Sequence, residues 1–148
     1  MKTLIICVSV HHGSTMKIAQ VISEVLDAKL IEPSEFEHEN LDDHDMIGFG
    51  SGIYDYELAG SILGLIDGID SLEGKKVFVF STSGVIMKKQ HNSSKTRLKL
   101  KNASFVGDFY CRGFNTNVFL KYIGGMNKGR PNADDLKRAK DFAASLAE

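Results

Sequence analysis

The 148-residue chain contains no tryptophan, so any aromatic wall of a binding site has to come from its four tyrosines or nine phenylalanines. Only two cysteines occur, Cys7 and Cys111, each inside an apolar, strand-like run. That excludes a disulfide-stapled scaffold and predicts reduced core thiols in a cytoplasmic protein. No apolar run approaches the roughly 18 residues of a membrane span. The N-terminus leads straight into the first strand, which leaves no room for a signal peptide. Net charge is −1, so no global excess points to nucleic acid or to a membrane surface. Internal repeats, low-complexity tracts and linkers are missing too, and the length suits one domain over residues 1–148.

The charge that is present is segregated. Seven acids lie between Glu32 and Asp45 with no Lys or Arg among them. Eight basic residues lie between Lys75 and Gly107 with no acid among them. Two solvated surfaces account for this; so does a dipolar molecule that orients a charged partner during encounter.

Apolar runs and helical stripes alternate along the chain. Thr3–Ser9 and Lys76–Gly84 are continuous runs suited to central parallel strands. Lys29–Glu32, Asp45–Gly52 and Ser104–Gly113 complete five strands, with Gly107 and Asp108 predicting a bulge or an edge in the last. Ile18, Ala19, Ile22, Val25 and Leu26 form one stripe of a helix over Thr15–Ala28. A second helix is predicted over Glu57–Ile69, where Gly60, Gly64 and Gly68 make a stripe read as close packing on a sheet. A short helix is expected around Lys95–Lys101, one or two helical turns over Thr116–Ile123, and a last helix capped by Asn132 with Asp135 three residues on. Such alternation predicts an α/β fold of three layers, a parallel five-stranded sheet with helices on both faces. Right-handed crossovers leave strand order 2-1-3-4-5 as the common solution, with ligands bound beyond the carboxyl ends of strands 1 and 3.

Three loops meet there. The first, Ser9, Val10, His11, His12, Gly13, Ser14 and Thr15, offers backbone N–H groups and hydroxyls at a helix start, a place for a phosphate. Adjacent histidines make no metal site alone and no cysteine or carboxylate cluster lies nearby, so phosphate donation is expected of His11 and His12 and no metal is. The second loop places Tyr54 and Tyr56 beside Ser51, Gly52 and Ile53; the third offers Thr82, Ser83, Gly84 and Val85. Phosphate cradle, aromatic plate and small-residue wall describe a site for a planar ring bearing a phosphate. Two other uses of such a sheet fail on the letters. A low-molecular-weight tyrosine phosphatase needs Cys-x5-Arg after strand 1, but six residues past Cys7 stands Gly13. A receiver domain needs a phosphorylatable Asp ending strand 3, where Gly50 and Ser51 stand.

With Ser9, Gly13 and Thr15 in the phosphate loop, the Lys17-Ile18-Ala19 helix start, the glycine-rich end of strand 3 and "FSTSG" ending strand 4, the chain resembles the flavodoxins over nearly its whole length. The loop is closest to the branch with a "HHGNT"-type sequence, Ser14 replacing its Asn. The resemblance implies a flavodoxin-like fold and non-covalent flavin mononucleotide (FMN). Its phosphate would be held by Ser9, His11, His12, Gly13, Ser14 and Thr15, and its ring by Ser51–Tyr54, Tyr56 and Thr82–Val85. It implies one-electron transfer between redox partner proteins, here with an acidic docking surface to suit the basic zone, and no catalytic side chain. A backbone carbonyl in the second loop would accept a hydrogen bond from N5–H of reduced flavin after a peptide flip that Gly52 permits. The alternative is an FMN-dependent oxidoreductase of quinone reductase or protoporphyrinogen oxidase type, with Cys111–Arg130 as an extra wall. A flavin-free binding module is a third.

Overall fold

The computed structural model describes residues 1–8, 13–113 and 130–148. Its sheet contains β1 (Thr3–Cys7), β2 (Lys29–Ile31), β3 (Met46–Tyr54), β4 (Glu57–Leu58), β5 (Lys76–Ser83) and β6 (Ser104–Arg112). Five are parallel, in the order β2-β1-β3-β5-β6, which is the predicted order. The sixth, β4, is an addition: it folds back antiparallel on the end of β3, pairing Ile53 with Leu58 and Tyr54 with Glu57. A two-residue turn makes this possible, because Asp55 and Tyr56 both take positive φ, 52° and 65°.

Central strands are apolar throughout because both faces are covered. On one face Leu4, Ile6, Ile47, Phe49, Val77 and Val79 pack under α2 (Gly60–Asp67) and α3 (Asn92–Leu100). On the other, Ile5, Cys7, Met46, Phe78 and Phe80 pack under α1 (Ser14–Leu26) and α4 (Ala133–Leu146). Cys7 and Cys111 are buried and free. Burial, helped by the charge of Glu32, pushes the Cys7 thiol up to about 12. Burial, helped by Asp135, does the same to Cys111, so both stay protonated and unreactive.

Several elements differ from the sequence reading, each for a local reason. Helix α2 starts three residues late because Glu57 and Leu58 go to β4. Its glycine stripe does not pack on the sheet: Gly60, Gly64 and Gly68 are exposed, and a Cβ at Gly60 or Gly64 would meet nothing within 4 Å. Helix α3 begins three residues early, after a 3₁₀ turn at Lys88–His91, anchored by the buried Leu98 although its Ser and Thr content disfavours helix. Val25, expected in the α1 stripe, is 40% exposed. The bulge does occur: Val77 pairs with Phe105 and Phe78 with Gly107, leaving Val106 over, and β6 lies at the sheet edge. The helical turns expected over Thr116–Ile123 lie outside the described residues.

Candidate functional site

Helix α1 is entered through Gly13 in the left-handed conformation, φ 66°, which glycine adopts without a Cβ clash. No acid occupies the first turn, whose backbone N–H groups favour negative charge. Ser14 and Thr15 are buried. The Thr15 hydroxyl shares a 2.6 Å hydrogen bond with that of Thr82, joining the first loop to the third. Gly113 closes against the same spot: a Cβ there would lie 3.0 Å from Thr82 Cβ and 3.1 Å from Ser14 Cβ. Ser9, His11 and His12 lie outside the described residues.

The second loop is the β3–β4 hairpin. Ser51 is buried and its hydroxyl is engaged within the hairpin, donating to the Gly52 carbonyl at 2.6 Å and accepting from Ala59 N–H at 2.9 Å. Tyr54 folds back over Gly52, and partial burial raises its hydroxyl pKa. Tyr56 is 57% exposed at the tip, with Lys89 Nζ 4.4 Å from its ring centroid. A tyrosine at positive φ costs on the order of 1 kcal/mol relative to glycine, a strain of the kind that collects at binding sites.

The third loop is a set of local hydrogen bonds. The Ser83 hydroxyl donates to the Val85 carbonyl at 2.7 Å, Gln90 Nε2 donates to the same carbonyl at 3.0 Å, and Met87 N–H donates to Gln90 Oε1 at 3.2 Å. Val85 and Ile86 stay exposed.

Between the second and third loops lies a cleft of about 420 Å³, lined by Ile53, Asp55, Tyr56, Ser83, Gly84, Val85, Met87 and Gln90. That volume suits a small organic ligand. The cleft gathers Ile53, Tyr56, Ser83, Gly84 and Val85 from the sequence reading. Ser51 and Thr82 are buried behind it, and Gly52 and Tyr54 are not among its lining residues. Met87 extends the apolar patch that the third-loop sequence offers from Val85, whereas Asp55 and Gln90 were not singled out. The letters of Asp55 and Gln90 carry no distinguishing signal, since the turn that places Asp55 at the cleft and the hydrogen bonds that hold Gln90 are products of the folded loops. Among the described residues no three His, Cys, Asp or Glu side chains converge as a metal site.

Residues 5–112 match the Flavodoxin domain family. An uncharacterized protein of Methanocaldococcus jannaschii is 40% identical over 148 residues, 99% of this chain and 98% of its own. The fold is similar to oxidised Flavodoxin 2 from Bacillus cereus, with a TM-score of 0.73 at 23% identity, covering 99% of this chain and 98% of that one. It is also similar to the flavodoxin, WrbA-like protein from Agrobacterium tumefaciens, with a TM-score of 0.73 at 19% identity over 99% and 94%. With the domain match running through the strand ends that build the cleft, the protein belongs to the flavodoxin family.

Proposed function

We propose that the protein binds FMN at the carboxyl ends of β1, β3 and β5 and carries single electrons between redox partner proteins. The flavodoxin fold implies a flavin cofactor. The observation that carries the reading is the cleft between the Tyr56 hairpin and the Val85–Gln90 loop, tied to the α1 N-terminus through Thr15 and Thr82. These residues fit the group: a flat aromatic side and an apolar side for a tricyclic ring, and a helix start with no acid in its first turn for its phosphate. The flavin supplies the redox chemistry when bound. Gly13, Ser14 and Thr15, with Ser9, His11 and His12, hold the phosphate in this reading, and Tyr56 covers the ring. Gly52 has no Cβ to hinder a peptide flip that would turn a carbonyl of this loop to accept a hydrogen bond from N5–H.

Purified apoprotein should take up one equivalent of FMN, accept electrons in two separate one-electron steps, and show negligible oxidation of NAD(P)H with quinones. Fast quinone turnover would favour the oxidoreductase reading, for which the likeness to the WrbA-like protein speaks at the level of fold. Tyr56→Gly separates binding from folding. It relieves the left-handed strain, so the apoprotein should gain about 1 kcal/mol in urea unfolding, while FMN dissociates faster. A variant that binds FMN as tightly as wild type would remove Tyr56 from the site.

The partner in this reading presents an acidic surface. Beside the cleft, exposed Lys88 and Lys89 flank Val85 and Ile86, an apolar centre with a cationic rim. On α3 Lys99 is exposed, whereas Lys95 and Arg97 are paired with Asp108 and Asp67. Electron-transfer rates with an acidic carrier such as a ferredoxin should fall as salt rises from about 10 mM to 500 mM. Salt-independent rates would contradict this partner chemistry.

A further inference from the structure

Below the cleft a buried chain of polar groups links three elements. Ser81 on β5, 1% exposed, lies 2.7 Å from Nε2 of His91, which is fully buried. Nδ1 of His91 lies 2.9 Å from Asp108 Oδ2 on β6, and Lys95 Nζ on α3 lies 3.0 Å from the same oxygen. The imidazole stacks on Tyr110 with centroids 3.7 Å apart, and the Tyr110 hydroxyl donates to the Lys88 carbonyl at 2.6 Å. The atoms are those of a hydrolytic triad, but Ser81 is buried and is not among the residues lining the cleft described above, so the unit does not open into that cleft. What it does meet is the end of the segment 85–91, which is one wall of the cleft.

We propose that His91 is a positioning residue: clamped between Ser81 and Asp108 and stacked on Tyr110, it holds the Val85–Gln90 wall at the separation from Tyr56 that a planar ligand requires. The inference rests on the flavin reading for the ligand, not for the clamp. Neutral imidazole with its proton on Nδ1 satisfies every partner, donating to Asp108 and accepting from the Ser81 hydroxyl. A second proton on Nε2 would force Ser81 to turn its own hydrogen away inside the core.

Facing His91 are Asp108 and Tyr110 from β6, Ser81 from β5 and Lys95 from α3. Strand β4, packed on the Lys88–His91 turn, brings Glu57, and the turn itself carries Lys88 and Lys89. Burial is the largest influence and lowers the His91 pKa; Asp108 opposes it and Lys95 adds to it. The released or unfolded imidazole therefore takes the proton more readily than the clamped one. The clamp is intact above the ordinary histidine value of about 6.5 and loosens as pH falls through the lower folded value.

Amide hydrogen exchange on the apoprotein, with FMN dissociation constants alongside, tests this in His91→Phe and Ser81→Ala. His91→Phe keeps a ring on Tyr110 and loses both hydrogen bonds. Amides of residues 84–91 should lose protection about tenfold, as expected for one lost hydrogen bond to a charged group. Strands β1 and β3 should keep theirs, and FMN should bind about tenfold more weakly. Wild-type protection of 84–91 should hold above about pH 6.5 and fall as pH is lowered below it, and that of His91→Phe should be flat. Should His91→Phe not fold, Ser81→Ala is read by the same criteria, with a smaller loss. Wild-type protection of 84–91 in a folded variant overturns the clamp, even where wild type binds FMN and the flavin reading stands. A wild-type protein that binds no FMN, with the loss of protection present, overturns the flavin reading and leaves the clamp.

Discussion

Gly50→Ala lowers stability by about 3 kcal/mol, although a strand interior ordinarily favours alanine over glycine by roughly 0.5–1 kcal/mol. Gly50 lies directly beside Phe80 in the β3–β5 register, as Gly48 lies beside Phe78. Each phenyl ring covers its glycine. A Cβ on Gly50 would come within 2.1 Å of the Phe80 ring, and one on Gly48 within 2.2 Å of the Phe78 ring. Carbon atoms prefer about 3.5–4.0 Å, so the ring has to leave. It has nowhere to go: Phe78 and Phe80 are fully buried, stacked 6.2 Å apart, and Phe142 meets Phe78 edge-on at 6.0 Å. Overpacking therefore outweighs the propensity gain. Urea midpoints should show the loss, and the melting temperature should drop by roughly 10 °C at this chain length. Adding Phe80→Leu to Gly50→Ala should restore part of the stability, a coupling of more than about 0.5 kcal/mol. A single variant within about 0.5 kcal/mol of wild type would show that the rings do not confine this strand. Because Gly50 leads into the Ser51–Tyr56 hairpin, the same change should also weaken FMN binding.

Asp135→Ala has an effect of similar size by a different route. The carboxylate is fully buried at the start of α4. It accepts a two-pronged contact from Arg130, with Nη2 at 2.5 Å from Oδ1 and Nε on Oδ2. It also accepts from Asn132 N–H at 2.8 Å, while Asn132 Oδ1 accepts from Asp135 N–H at 2.9 Å. Removing one partner of a buried pair costs about 3–5 kcal/mol, but Arg130 is 27% exposed and regains water. The lower end, about 3 kcal/mol including the lost cap, is expected. Burial pushes the Asp135 pKa up, but the Arg130 fork, the Asn132 amide and the charges of Arg130 and Arg138 outweigh it and leave it below the ordinary value. The unfolded chain thus binds this proton more readily than the folded one. The stabilisation is complete above the unfolded value of about 3.9 and is lost as pH falls through the lower folded value. Denaturation midpoints measured from pH 6 downward should stay apart above about pH 3.9 and converge for wild type and Asp135→Asn as pH falls below it. A gap that stays constant over that range would show that the carboxylate's charge is not what stabilises α4.

The same two sites show where the letters suffice. Asn132 and Asp135 are three apart, so one turn of backbone brings them together wherever the helix sits, and the cap was legible. The apolar runs of β1 and β5 and the interruption of β6 at Gly107 were legible for the same reason: a run or an interruption within a few residues needs no partner to be read. The order of the five parallel strands followed from alternation and the handedness of crossovers.

Contacts across the sheet were not legible. Gly48 and Gly50 read only as glycines of a strand with a glycine-rich end and are ring seats in the fold, because only the β3–β5 register puts Phe78 and Phe80 beside them. Leu58 fits a helical stripe, yet it pairs with Ile53, since two left-handed residues return the chain before a helix can begin. Ser81, His91 and Asp108 are separated by 10 and 17 residues and meet only where β5, the 3₁₀ turn and β6 are stacked. Spacing within an element dictates which side of it is apolar and where it stops. Which residue lies opposite which depends on register and on packing both sheet faces at once, and those are settled by the whole assembled core.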